Sequence, residues 1–312
     1  MRAAPRYTAT MNSDSRPDPR LDPLPESAPR VYLHYTQAEL DRAYEQTAWA
    51  SNREEVVTWY AAESAKARAQ LRMHRSLAYG PGPEDLIDFF PAEGAALAPI
   101  HVHIHGGRWS VFTKDEESFL APTFVAAGRA CAVPDFTLIP KARLPDMIAQ
   151  LQRMIVWLHA NAARYGGDPA RIHLSGHSSG AHLAGVLMLT DWTALGLPAD
   201  AIKSALLVSG MYDLRPVMLS SRSSYVKLSA GETLALSAIL APHKVNLPVT
   251  LAYGEKETPE FQRQPQACAD VLRAAGKEVR LMRLPGVNHF EILKEFGNPE
   301  SALSREALCL MG

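Results

Sequence analysis

The stretch RIHLSGHSSGAHL (171–183) carries the clearest pattern in this 312-residue chain. An apolar, β-rich run enters Gly176-x-Ser178-x-Gly180, and a helical run leaves it. Glycine is needed on both sides because the turn strains the serine backbone and brings neighbouring chain segments close together. The pattern predicts that Ser178 projects its hydroxyl at the carboxyl edge of a sheet, where open α/β folds place their sites.

The chain around this stretch alternates between two kinds of segment. Helical patterns cover 146–165 and 261–275, and a short strand is predicted at 86–90. Strands that alternate with helices of this length predict an α/β fold whose mostly parallel central sheet carries helices on both faces. The other apolar, β-rich runs lie at 100–104, 130–134, 172–174, 205–209, 249–253 and 279–284.

The N-terminal part differs in composition from the rest. Residues 1–30 contain six prolines and few apolar side chains, which predicts a disordered tail. Residues 31–78 are rich in strong helix formers and predict a helical N-terminal extension of two helices, broken near Ser51 and Asn52. Residues 31–312 are expected to form a single domain, in which about 212–244 interrupt the alternation as a cap over the site.

Composition excludes several functions. With 32 basic and 33 acidic side chains, the net charge of -1 gives no reason to expect binding to nucleic acid or an acidic membrane. A small-molecule substrate is the better expectation, with no cofactor. The sparse cysteines Cys131, Cys268 and Cys309 suit a reducing compartment. Because the chain has neither a secretory signal nor an apolar run long enough to span a membrane, we expect a soluble, cytoplasmic protein.

A second motif, PIHVHIHGGRW (99–109), lies about 70 residues upstream of Ser178. Its His-Gly-Gly loop resembles the oxyanion loop of lipases and esterases, whose backbone N–H groups face the oxygen that becomes negative during acyl transfer. We expect one donor at the Gly107 amide, helped by Gly106 or Arg108, and the other at the Ser179 amide. His105 is expected to brace the loop.

The same motif permits a rival interpretation. His101, His103 and His105 alternate, so they point to one face of a strand and are a candidate metal site for a metal-dependent amidohydrolase. The run, however, ends in two glycines and leads to an independent serine motif. Packed histidines are therefore the favoured interpretation of His101 and His103, and we expect no metal.

A general base and its orienting acid are expected downstream of the serine. LPGVNHFE (284–291) follows the last β run, which makes His289 the candidate base. In GEKETPEF (254–261), the spacing Gly-x-x-acid selects Glu257 over Glu255. Asp213 is the reserve candidate, although an acidic residue after a strand is more often a helix cap.

Together these motifs resemble the α/β-hydrolases, and in particular the kynurenine formamidase (arylformamidase) family. The resemblance spans about residues 35–310 and implies Ser178, Glu257 and His289 as a catalytic triad. The chain departs from the family at Arg108, where an aromatic residue is usual, and at Glu257, where aspartate is usual. The matching segments are HGGRW (105–109), YGGDP (165–169), GHSSGAHL (176–183), SGMYDL (209–214), TPEFQRQ (258–264) and NHF (288–290).

The resemblance implies a serine hydrolase that cleaves an N-formyl or N-acyl arylamine, such as N-formylkynurenine, through an acyl-enzyme. An aryl or short-chain carboxylesterase with the same triad is the main alternative, and a non-catalytic binding protein of the same fold is another. Trp109 is a candidate aromatic wall or a packing residue, and Tyr212 is a further candidate substrate contact. Arg108 either pairs with a substrate carboxylate or forms a surface salt bridge. A homodimer is also expected.

Overall fold

The computed structural model describes residues 28–94 and 97–312. Its strands are β1 (Arg30–Tyr32), β2 (Tyr35–Thr36), β3 (His74–Ala78), β4 (Leu86–Phe90), β5 (Ala98–Ile104), β6 (Ala130–Pro134), β7 (Gly167–His177), β8 (Ile202–Val208), β9 (Val249–Gly254) and β10 (Val279–Leu284). Its helices are α1 (Gln37–Ala43), α2 (Arg53–Gln70), α3 (Ala121–Ala126), α4 (Leu144–Asn161), α5 (Ser179–Leu187), α6 (Leu214–Leu219), α7 (Ser223–Val226), α8 (Ala230–Ala235), α9 (Pro259–Ala274), α10 (Glu291–Lys294) and α11 (Ala302–Met311).

Eight of these strands form one sheet in the order β10-β9-β8-β7-β5-β6-β4-β3. The six strands from β10 to β6 run parallel, whereas β4 and β3 are antiparallel to their neighbours. The prediction of an α/β fold with a mostly parallel sheet is confirmed. Because the parallel strands end at the same edge, the loops after β5, β7, β9 and β10 converge there.

The sheet is covered on both faces, and successive residues of one strand enter different cores. In β8, Ala205 and Leu207 face the core that includes α4, α5 and α9, whereas Leu206 and Val208 face the core that includes α2, α3 and α11. Burial on both faces explains why residues 205–208 of β8 are apolar throughout instead of alternating with polar residues.

The N-terminal extension contains the two expected helices, α1 and α2, with a 3-10 turn (Gln46–Trp49) between them. It also contains β3, which the sequence did not predict. Since β3 is an edge strand with exposed residues, HRSLA carries no apolar pattern that marks a strand. The predicted tail, residues 1–30, lies outside the described residues except for 28–30.

The segment from Leu214 to Lys244 folds as short helices, as expected for an interruption of the alternation. Helix α6 packs on α7 and α8, and it also contacts α1 of the N-terminal extension. Among the described residues, no helix is long and apolar enough to cross a membrane.

Candidate active site

Ser178 lies at the turn between β7 and α5. Its backbone has φ 55° and ψ -118°, a strained conformation for a residue with a side chain. The amide of Ser178 donates to the carbonyl of Val208 at 2.9 Å, which ties the turn to the adjacent strand. A Cβ atom at Gly180 would lie 2.0 Å from the carbonyl oxygen of Ile104, so only glycine fits there. The local fold thus presents the hydroxyl at the sheet edge, as the motif predicts.

His289 comes from the loop after β10 and reaches this serine. Its Nε2 lies 2.9 Å from Oγ of Ser178, and its Nδ1 lies 2.7 Å from Oε2 of Glu257. All three side chains are buried. Because the carboxylate can only accept, Nδ1 carries the proton, and Nε2 is left to accept from the serine hydroxyl.

Glu257 is oriented from its other side. Its Oε1 accepts the amide N–H of Gly254 at 2.7 Å and the hydroxyl of Ser209 at 2.5 Å. The two other candidate acids lie elsewhere. Glu255 accepts hydrogen bonds from Arg283 and Gly286.

Asp213 is the other acid that the sequence left open. It accepts from the amide of Arg215 and pairs with that guanidinium at 2.8 Å, so it serves as the N-cap of α6. The structure therefore brings Glu257 to His289, and neither Glu255 nor Asp213.

Burial determines the protonation of this pair. It lowers the pKa of His289, and the positive charge of Arg222 lowers it further, so the imidazole is neutral at rest. Burial raises the pKa of Glu257, and this effect outweighs the hydrogen bonds from Ser209 and Gly254, which lower it. A neutral, buried imidazole beside a serine hydroxyl is able to accept its proton.

The loop after β5 bends sharply towards Ser178. Gly107 has φ 97°, and a Cβ atom there would lie 2.0 Å from the carbonyl oxygen of Val111. In the part of the chain that the structure describes, nothing accepts a hydrogen bond from the amides of Gly107 and Ser179. Both amides are therefore free to donate to a ligand at Ser178.

Gly106 has a different role from the one predicted. Its amide donates to Oε1 of Glu117 at 3.1 Å, so this N–H is not available to a substrate. Glu117 is fully buried, and its other oxygen contacts Nε2 of His103 at 2.9 Å. The prediction that Gly106 contributes to an oxyanion hole is wrong, because a buried carboxylate already holds its amide.

The alternating histidines belong to the same buried network. Oγ of Ser175 lies 2.7 Å from Nδ1 of His103 and 2.8 Å from Nε2 of His101. His105 stacks on Phe136 with its ring centroid 4.4 Å away, as expected of a residue that braces the loop. Within residues 28–94 and 97–312, no three His, Cys, Asp or Glu side chains are placed to hold a metal ion. His101 and His103 are packed in the interior, as the favoured interpretation predicts.

A cavity of about 240 Å³ opens at Ser178. The sequence pointed to its catalytic side and to Arg108, but not to its other walls. Most of these come from the N-terminal extension, the cap and the loop after Arg108, none of which carries a recognisable motif, whereas His177 and Phe290 lie inside the motifs of Ser178 and His289. The missed lining residues are Glu45, Gln46, Thr47, Arg53, Tyr60, Val111, Phe112, His177, Arg222 and Phe290.

Trp109 and Tyr212 do not line this cavity, contrary to prediction. Trp109 is fully buried, and its indole N–H donates to Nδ1 of His182 at 3.2 Å. Tyr212 is also fully buried, and its hydroxyl donates to the carbonyl of Leu207 at 3.3 Å. Both aromatic residues have their polar group satisfied inside the protein, so they are packing residues.

Arg108 lies on the cavity and is exposed. No carboxylate of the described residues lies within 4.0 Å of its guanidinium, so the predicted surface salt bridge is not present there. Its backbone has φ 55°, which belongs to the sharp bend of the loop.

Helix α2 holds the loop that carries His289. The side-chain amide of Asn52 donates to Oε1 of Glu291 at 2.7 Å, and the side-chain amide of Asn288 donates to Oδ1 of Asn52 at 2.9 Å. The hydroxyl of Tyr60 donates to the carbonyl of Phe290. The N-terminal extension is thus part of the framework of the site.

Comparison with known proteins gives consistent results. The BD-FAE family model matches residues 87–201. The kynurenine formamidase of Danio rerio is 30% identical over 257 residues, covering 79% of this chain and 85% of that protein. Esterase LipQ of Mycobacterium tuberculosis is 31% identical over 234 residues, covering 68% of this chain and 55% of the esterase.

Among solved structures, one from Silicibacter sp. tm1040, described as a candidate thioesterase, superposes with a TM-score of 0.74. It is 28% identical, and the match covers 86% of this chain and 98% of that one.

Proposed function

The chain belongs to the kynurenine formamidase family of α/β-hydrolases and hydrolyses amide or ester bonds, and we propose that it deformylates or deacylates arylamines through an acyl-enzyme. The observation that carries this proposal is the line of contacts from Ser178 through His289 to Glu257, with distances of 2.9 and 2.7 Å. N-formylkynurenine, or an arylamine like it, is the substrate we propose.

In the first half of the reaction, Oγ of Ser178 attacks the carbonyl carbon while Nε2 of His289 takes the hydroxyl proton. Glu257 holds the Nδ1–H tautomer and stabilises the imidazolium that forms. The carbonyl oxygen becomes negative and accepts hydrogen bonds from the amides of Gly107 and Ser179. Each such donor contributes about 10²- to 10³-fold to the rate.

The intermediate then collapses, and the carbon–nitrogen bond breaks as His289 returns its proton to the leaving arylamine. Water attacks the acyl-serine with the same histidine as base, and the carboxylic acid leaves. The cavity of about 240 Å³ is below the roughly 300–1,000 Å³ typical of drug-sized ligands. It therefore favours a short acyl group on a single aromatic ring.

An aryl or short-chain carboxylesterase is the second candidate function, because the same attack and proton transfers cleave an ester. Its support is the similarity to an esterase over 68% of this chain. The two candidates differ in the leaving group that His289 must protonate, since an arylamine needs its proton at nitrogen whereas a phenolate leaves readily without one.

The decisive experiment compares formanilide, acetanilide and p-nitrophenyl acetate, with arylamine or nitrophenol release as the readout. We expect the highest kcat/KM for the formanilide and labelling of Ser178 by a fluorophosphonate. Ser178→Ala is expected to lower every rate by about 10⁴-fold or more. The control Ser224→Ala, exposed on α7, is expected to retain activity.

Two outcomes would contradict the proposal. Full activity in Ser178→Ala would exclude an acyl-enzyme formed on Ser178, and hydrolysis of esters alone would favour the carboxylesterase.

We also propose a cytoplasmic location, supported by the free thiols of Cys131, Cys268 and Cys309.

A further inference from the structure

Arg222 is a buried cation in the wall of the cavity. Only 5% of its surface is exposed, and it lies between α6 and α7 in the cap. No carboxylate of the described residues lies within 4.0 Å of its guanidinium. A buried charge without a counter-ion is expensive, and proteins normally pair it.

The contacts that Arg222 does make leave its charge uncompensated. Its Nε and Nη2 both donate to the carbonyl of Tyr44, at 3.2 and 2.7 Å. Its Nη1 faces the sulfur of Met211 at 3.8 Å, which is a weak acceptor. The guanidinium also lies 5.6 Å from the ring of Tyr44 and 5.7 Å from that of Phe261. All these partners are neutral.

The charged side chains around the cavity are mostly positive. Arg53 and Arg108 also line it, and the carboxylate among its lining residues is that of Glu45, which is exposed to solvent. Burial, and more weakly Arg108, lower the pKa of Arg222, so both act against its charge. An anion bound beside Arg222 would remove this penalty.

We propose that Arg222 binds a carboxylate on the substrate and thereby selects acidic arylamides over neutral ones. The proposal rests on the proposed function and adds to it the residue that recognises an acidic group on the substrate. A guanidinium suits this task because its planar fork matches the two oxygens of a carboxylate. Arg108 and Arg53 lie at the same cavity and add to its attraction for an anion.

The test compares formanilides that carry a ring carboxyl group in the ortho, meta or para position with their neutral carbamoyl counterparts. For at least one position, we expect the wild-type enzyme to favour the carboxylate by about 30-fold or more in kcat/KM, mainly through KM. A wild-type enzyme without this preference would overturn the proposal before any variant is made.

Arg222→Gln is expected to lose the preference, and Arg222→Lys to retain part of it, because lysine keeps the charge but not the fork. The control Arg273→Gln, on the exposed face of α9, is expected to keep the full preference. Preference retained in a folded Arg222→Gln variant would overturn the proposal. Different results would contradict the proposed function: either no formanilide is hydrolysed, or the Ser178→Ala variant remains active.

Discussion

The amide of Gly106 donates to Oε1 of Glu117 at 3.1 Å, so a buried carboxylate holds the loop that faces Ser178. The same carboxylate contacts His103, which continues the network into β5. Glu117 lies eleven residues beyond Gly106, in the segment that leads to α3. The free amide of Gly107 is therefore positioned by a side chain that never reaches the substrate.

Replacing Glu117 is expected to displace the Gly107 amide. In Glu117→Ala we expect kcat to fall by about 10²-fold, comparable to the loss of one oxyanion donor, with a smaller change in KM. Steady-state kinetics on the best formanilide measures this. The exposed Glu93→Ala variant is the control. A folded Glu117→Ala variant with wild-type kcat would show that the loop does not depend on this carboxylate.

Glu257 is expected to be required for the rate, and aspartate to replace it in part. Glu257→Gln should lower kcat by about 10³- to 10⁴-fold, because the amide does not stabilise the imidazolium and favours the wrong tautomer. The kcat of Glu257→Asp should be much closer to the wild-type value, because aspartate keeps the carboxylate. Glu255→Gln, two residues away and bonded to Arg283, is the matched control. Equal rates for both glutamine variants would contradict the assignment.

Two opposite shifts are expected in the pH profile. The acidic limb of kcat/KM reports protonation of the free enzyme's base. Arg222 lowers the pKa of His289 and Glu117 raises it. Removing the positive charge in Arg222→Gln should therefore raise the pKa of His289 and move the acidic limb to higher pH. Removing the negative charge in Glu117→Gln should lower this pKa and move the acidic limb to lower pH. Profiles on a neutral substrate measure both, and shifts in the same direction would contradict His289 as the titrating base.

Gly180 is expected to tolerate no side chain. In Gly180→Ala the new Cβ would meet the carbonyl of Ile104 at 2.0 Å, a contact that the backbone must relieve by moving. Such overpacking costs about 1–3 kcal/mol, which denaturant unfolding would detect. Gly231→Ala is the control, since nothing lies within 4 Å of its position on α8 and alanine favours a helix. Equal stability of the two variants would contradict the tight packing of the turn.

The sequence predicted what depends on local pattern. The strands β4, β6 and β10 were predicted with their observed ends, because each is a short segment rich in apolar residues with loop residues on both sides. Ser178 and His289 were found because each lies in a loop that directly follows a strand. Glu257 was chosen over its neighbour Glu255 by spacing alone, and the structure brings it to His289.

What the sequence missed depends on contacts between distant segments. Arg222 reaches the carbonyl of Tyr44 across 178 positions, and nothing in either neighbourhood marks that contact. Trp109 and Tyr212 were placed at the substrate because they adjoin motifs, but adjacency in sequence does not determine which way a ring points. Both rings point into the core, where His182 and Leu207 accept their polar hydrogens.

The contacts between α2 and the loop after β10 have a consequence for how the protein loses activity. Asn52 and Tyr60 hold that loop, yet α2 lies outside the alternating strands and helices of the sheet. Detachment of this helix would free His289 from Ser178 while the sheet remains intact. On heating, inactivation should thus precede loss of the secondary structure, and protection from hydrogen exchange should disappear first in α2.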